Sequence, residues 1–234
     1  MSDQPLAALL IETLEAAQAR EGELIALAGD EPALVEDRWT AKDHVAHLAW
    51  WRDHAAHVVD AARRGETYPE IADIDAENAR TYDESRDRPA HDVKLAAADS
   101  YAALISALRS TTDADLMRPR VGRKGQIWRS IPADGHQHVG LHLIQWHLEQ
   151  NDADEAERIA LWVREWDDRF ADGESRSAAA YNLGCFYARV GRADQATALI
   201  AASLELDPSL REWAREDPDL VSIRDSPKVR SLLA

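Results

Sequence analysis

The chain has 234 residues, with 43 acidic against 27 basic side chains and a formal net charge of −16. Both the first 150 residues and the remainder are net acidic. A field of that sign repels nucleic acid and anionic membrane, so neither is expected as a partner. The single cysteine, Cys185, excludes an intrachain disulfide and a cysteine-based metal cluster, and it fits a reducing compartment. No stretch approaches the roughly 18 to 20 apolar residues of a membrane span. The first residues lack the basic region and apolar run of a signal peptide, so the cytoplasm is the expected location. Alanine and leucine are abundant and β-branched clusters are rare, which predicts an all-α fold.

A first helix is predicted from about Pro5 to Ala28, with Leu6, Leu9, Leu10, Leu14, Ala17 and Leu24 at helical spacing; Gly29 and Pro32 stop it. Thr40 is a good N-cap for the second helix, with Asp43 in the capping-box position; Gly65 ends this helix after Arg64. Residues 66–92 are polar and hold a short helix over about Ile74 to Glu84. The third helix runs from about Val93 to Arg109, with Leu95, Tyr101, Leu104, Ile105 and Leu108 as its apolar positions. Residues 110–133 contain Pro119, Gly122, Gly125 and Pro132 and read as a long irregular connection, a kind of loop that is often functional. The fourth helix covers about Asp134 to Gln150. Four substantial helices with a long crossover predict a four-helix bundle over residues 1–150.

After Asn151 the pattern changes. Leu183, Gly184, Tyr187, Ala196 and Pro208 have the spacing of a tetratricopeptide unit, although the usual tryptophan of its first helix is Ala180 here. Residues 151–234 are therefore expected to form a tetratricopeptide-like helical hairpin with short terminal helices. Such a repeat offers a surface to a protein partner.

Nine histidines are present, at 44, 47, 54, 57, 91, 136, 138, 142 and 147. His138 and His142 lie four apart, about 40° from one another on one helical face. Such a pair can chelate one ion from successive turns. The third ligand must come from elsewhere, and the second helix supplies several histidines. By spacing alone, these side chains equally suit a bundle surface or a hydrogen-bonded interior.

The segment WTAKDHVAHLAWWRDHAAH resembles the second-helix signature of the DinB-like, metal-binding four-helix-bundle superfamily. That signature is a tryptophan, a small polar cap, a lysine–aspartate pair, and a histidine eight residues after the tryptophan. Here these are Trp39, Thr40, Lys42, Asp43 and His47, followed by Trp50 and Trp51. The family's second signature, a histidine pair on the last bundle helix, is matched by His138 and His142. The stretch with Asn78 and Tyr82 is similar to the linker of the colibactin self-resistance branch. The wider family includes the mycothiol-dependent maleylpyruvate isomerase branch.

The resemblance implies that His47, His138 and His142 ligate one divalent ion. Zinc is the default, with nickel, manganese or iron as alternatives. It also implies a low-molecular-weight thiol as cosubstrate. Two readings stay open for His44, a partner behind the ligands or a surface position, with the surface favoured. Trp51, His54, Asn78 and Tyr82 are expected near the substrate pocket. Glu77 is a candidate general base, with an exposed acidic loop helix as the favoured reading. His57 is expected to be exposed. Arg118, Arg120, Arg123, Lys124 and Arg129 concentrate basic charge before the fourth helix; they read as a solvated loop or, more sharply, as a local site for an anionic or thiol cofactor.

Two functions follow. One is a metal-dependent enzyme that transfers a thiol or water to a small electrophile in detoxification or self-resistance. The other is a non-catalytic module that sequesters a small molecule or contacts a protein. A homodimer is compatible with either.

Overall fold

The computed structural model describes residues 4–30, 38–69, 71–120 and 125–234. The expectations for Pro32, Gly122, Arg123 and Lys124 fall outside these residues. The chain divides into two compact units, residues 4–142 and 143–234 among those described. The division runs inside one helix.

In the first unit, α1 (Leu6–Leu27), α2 (Ala41–Arg64) and α4 (Ala90–Arg109) pack against one another, and α3 (Ile74–Ser85) lies along α2. Their core is built from Leu10, Leu14 and Leu24, from Val45, Leu48 and Val59, and from Val93, Leu104 and Leu108. Each such side chain contributes roughly 1.5–3 kcal/mol when fully buried. Leu95, expected on the apolar face of α4, is instead 51 % exposed.

The start of α2 is fixed as its residues predict. Thr40 accepts from the Asp43 amide, and the Asp43 carboxylate accepts from the Thr40 amide at 2.8 Å, closing a capping box. Lys42 reaches the other way: its ammonium donates to the backbone oxygens of Arg86 and Arg88 at 3.0 and 3.1 Å. The lysine–aspartate pair thus anchors the helix that carries His47 to the segment after α3. Gly65, in the left-handed region, ends α2.

A buried ion pair braces three helices. Arg52 of α2 meets Glu21 of α1 at 2.7 Å, and neither side chain is exposed. Tyr101 of α4 donates to the same carboxylate at 2.8 Å, and the Arg52 guanidinium lies 3.8 Å from the centre of its ring. Arg52 also donates to Ser100 at 3.2 Å.

The connection expected to be irregular is partly ordered into short elements. It forms α5 (Asp113–Leu116), a 3-10 turn (Ile127–Arg129) and α6 (Ser130–Asp134), with an isolated bridge between Pro119 and Gln126. Thr112 and Asp115 form a second capping box, which nucleates α5 from four residues. Asp113 then caps a distant helix, accepting from the Leu6 and Ala7 amides at 2.9 and 3.0 Å. Those amides belong to the unsatisfied first turn of α1, whose own N-cap is Pro5 and has no side-chain hydrogen bond.

Gly135 separates α6 from α7 (His136–Glu149). A Cβ there would lie 2.6 Å from the Ile131 carbonyl oxygen and 3.0 Å from Leu14. Only glycine fits so close a backbone approach, and this turn sets where α7 begins.

The second unit holds α8 (Ala153–Asp167), α9 (Gly173–Arg189) and α10 (Ala193–Leu206), then α11 (Leu210–Glu216), a 3-10 turn (Pro218–Leu220), α12 (Val221–Arg224) and α13 (Pro227–Leu233). α9 and α10 form the expected helical hairpin, and α9 also packs on α8. The core gathers Leu183, Phe186, Ile200, Leu204, Ile223 and Val229. Gly184 lets α10 approach, since a Cβ would come 2.9 Å from the Ile200 methyl. Among the described residues no helix is long and apolar enough to cross a membrane.

Candidate metal centre

α2 and the first turns of α7 bring three imidazoles together. The Nε2 atom of His138 lies 3.1 Å from that of His47 and 3.2 Å from that of His142. All three residues offer a ligand nitrogen within 4.8 Å of the others. Tetrahedral zinc with its usual bonds to nitrogen separates adjacent donors by about 3.3 Å. The cluster therefore matches the spacing of a three-nitrogen site.

Its protonation also fits. Burial pushes the His47 pKa down to about 4, aided by neighbouring His44. Burial brings His138 to about 3, with contributions from His47 and Arg52. His142 is held well below its ordinary value, first by burial and then by His138, His44 and His47. At neutral pH all three rings are uncharged and have a lone pair to offer. The buried Nδ1 atoms of His47 and His138 have no hydrogen-bond partner among the described residues. Three uncharged rings converging on one point, with so few protein partners, form a polar pocket that a cation would complete.

Trp39 forms one wall. Its indole lies parallel to the Tyr82 ring, at 5.6 Å and 9°, and to the His142 ring, at 5.8 Å and 7°. It meets His44 and His47 edge-on at 5.4 and 5.0 Å. In the sequence Trp39 stands out only as a motif residue; its place beside the three histidines comes from the fold.

His44 corrects the reading that favoured the surface. Its relative exposure is 0 %, and its Nδ1 lies 2.8 Å from Nδ1 of His142. Helical projection located it about 60° from His47, but projection alone cannot show that α7 and Trp39 cover that side. His57 is exposed as expected and bonds back to the Asp53 carbonyl oxygen at 2.8 Å.

Trp51 lies between the cluster and a cavity. Its ring sits 6.3 Å from His47 and 6.4 Å from His138, and its indole N–H donates to Asn78 at 3.0 Å. Trp51 also lines a cavity of about 280 Å³ with His54, Tyr68, Ile127, Arg118 and Asp134. None of the three clustered histidines lines that cavity, so Trp51 is the shared wall. Arg118, from the basic concentration, is engaged in the wall, donating to the Ala62 carbonyl oxygen at 2.8 Å and pairing with Asp115 at 2.8 Å. Arg129 instead lies over the Trp128 ring at 4.5 Å.

Glu77 is not brought to the cluster. Its carboxylate pairs with Arg80 at 2.5 Å, and that hydrogen bond holds its pKa below the usual carboxylate range. A carboxylate so stabilised is a weak base. It faces a shallower pocket with Trp50 and His54.

In the second unit, Cys185, Asp217 and Asp219 also gather within 4.8 Å. Their polar atoms are already committed. Asp217 accepts from Tyr181 at 2.7 Å and from the Cys185 thiol at 3.7 Å, while its other oxygen caps the Asp219 amide at 2.9 Å. Burial, reinforced by both aspartates, pushes the thiol well above its ordinary pKa, so Cys185 is a poor nucleophile.

The first unit is thus a helical bundle with a three-histidine cluster, two of its rings buried and His138 half-buried, built from α2 and α7. The sequence agrees at the level of family: residues 6–151 match the DinB superfamily, and the chain belongs to it. Among solved structures, the chain is similar to the mycothiol-dependent maleylpyruvate isomerase, with 19 % identity and a TM-score of 0.50 over 60 % of each chain. A mutant of that enzyme matches at 18 % identity and a TM-score of 0.49, again over 60 % of each chain. The chain thus spans less than two thirds of the length of these structures, and the likeness is one of fold. No protein of curated function matches the chain.

Proposed function

We propose that the unit of residues 4–142 is a metal-dependent enzyme that transfers a thiol, or adds water, to a small electrophilic substrate in detoxification or self-resistance. The observation that carries this reading is the convergence of the His47, His138 and His142 Nε2 atoms in uncharged form. Three imidazoles without a carboxylate suit zinc, nickel or iron better than manganese, and zinc is the proposed ion. When bound there, such an ion supplies Lewis acidity that makes a nucleophile available at neutral pH.

The chain's own groups supply the rest. His47, His138 and His142 would hold the ion; among the described residues no further histidine, cysteine or carboxylate joins the group within 4.8 Å. The cavity beyond Trp51 takes the electrophile against an aromatic wall of Trp51, His54 and Tyr68. Asn78 and Tyr82 act as wall supports, the first through its bond to Trp51 and the second through its stack on Trp39. The thiol arm is supported by the mycothiol dependence named for the structural neighbour. The hairpin of α9 and α10 is proposed as tetratricopeptide-like, a surface for a protein partner.

The test begins with protein purified without chelators or a histidine tag. About one ion per chain is expected, falling to background in His142→Ala. Thiol consumption with model electrophiles should require that ion and disappear in the same variant. Unchanged turnover in folded His142→Ala would remove the metal from the chemistry.

A further inference from the structure

The contact behind the cluster is the tightest polar contact of His142. His44 Nδ1 and His142 Nδ1 are 2.8 Å apart with His44 fully buried. The far nitrogens of His47 and His138 have no such partner among the described residues. His142 is therefore the clustered ring that another side chain holds from behind.

Two imidazole nitrogens at this distance share one proton, so one donates and the other accepts. A neutral imidazole carries a single N–H. With the proton on His142 Nδ1, donated to His44, the His142 Nε2 keeps its lone pair for an ion. With the proton on His44 Nδ1, His142 must carry its own on Nε2, and that nitrogen cannot ligate. This one hydrogen bond thus separates a ligand-competent ring from an incompetent one. Trp39 limits the alternatives, because its flat stack on His142 at 5.8 Å resists ring rotation.

We propose that His44 is a positioning residue of the metal centre: it accepts the Nδ1 proton of His142 and so fixes the tautomer and orientation that open Nε2 to the ion. This rests on the metal-centre reading above. Metal-bound histidines usually give that proton to a carboxylate, a backbone carbonyl or water. Here the acceptor would be an imidazole on the same helix as His47, so α2 would supply one ligand directly and orient another.

The experiment measures Zn²⁺ affinity by competition with a chromophoric chelator. It compares the natural protein with His44→Leu, His44→Asn and His142→Ala. Leucine fills space without an acceptor, whereas the asparagine oxygen can stand near the lost Nδ1. Loss of such a partner costs about 10–100-fold in affinity, so His44→Leu should weaken binding by that factor and His44→Asn should recover most of it. His142→Ala should bind far more weakly than either. His44→Leu binding as tightly as the natural protein overturns the inference while leaving the metal centre standing. Equal losses in His44→Leu and His44→Asn overturn it too, because packing alone then accounts for the effect. No binding by the natural protein removes both readings. Should His44→Leu fail to fold, nitrogen-15 spectra of the natural zinc-loaded protein decide: a protonated His142 Nδ1 beside an unprotonated His44 Nδ1 supports the proposal, and the opposite assignment refutes it.

Discussion

At the scale of single residues, the three clustered histidines have their charge suppressed by the same burial that brings them together. This has a consequence for the metal-free protein. His47 titrates at about 4 and His138 at about 3, against an ordinary value of 6.5. Between those values the unfolded chain binds protons that the folded chain refuses, so stability falls as pH drops below about 6.5. Each histidine contributes a slope of about 1.4 kcal/mol per pH unit inside its window, and the loss levels off only below its folded pKa. Chelator-treated protein should therefore unfold at steadily lower urea concentration from pH 7 to pH 5. His138→Asn should show a shallower slope over the same range, because one of the refusing rings is gone. Equal slopes would mean that His138 is charged in the fold. The ligand candidates were legible as a pattern, since His138 and His142 sit one turn apart and His47 stands at a fixed distance from Trp39. The partner behind them was not, because the His44 environment depends on His142 of α7, 98 residues away. Trp39 was missed as a wall for the same reason. Glu77 pairs with Arg80 three residues on along its helix, which agrees with the favoured reading of an exposed acidic helix.

At the scale of elements, the helix boundaries follow local chemistry and were readable. Thr40 with Asp43 opens α2, and Gly65 closes it. The long crossover was harder, because α5 is a single turn and its Asp113 works as the cap of α1 from 106 and 107 residues away. The brace between α1, α2 and α4 was invisible for a similar reason: Glu21 and Arg52 look like ordinary surface charges until three helices enclose them. Removing one member of a buried pair typically costs 3–5 kcal/mol, since a charge remains without its partner. Glu21→Leu should lower unfolding free energy by about that much. Glu21→Leu with Arg52→Met should recover part of the loss. About 1–3 kcal/mol should remain missing, because the Tyr101 hydroxyl loses its acceptor. Denaturant titrations of the two variants would show this, and simple addition of two large losses would contradict the account.

At the scale of the whole molecule, the net charge of −16 favours the approach of cations and opposes that of anions. The division into two units places all three ligand candidates within residues 4–142. The ligand candidates nevertheless come from distant parts of the chain, since His47 and His138 are 91 residues apart. An ion held between them stabilises only the state in which α2 and α7 face one another. At free zinc one hundred times the dissociation constant, that linkage contributes about 2.7 kcal/mol. Amides of α2 and the first turns of α7 that exchange only by opening this unit should then exchange about 100-fold more slowly, the same free energy expressed as a rate. His142→Ala should lose the gain at the same zinc concentration. Protection confined to α7 would indicate an ion held by the His138 and His142 pair alone. Protection on both helices is the result that only a site built across them can produce, and it depends on no assumption about substrate.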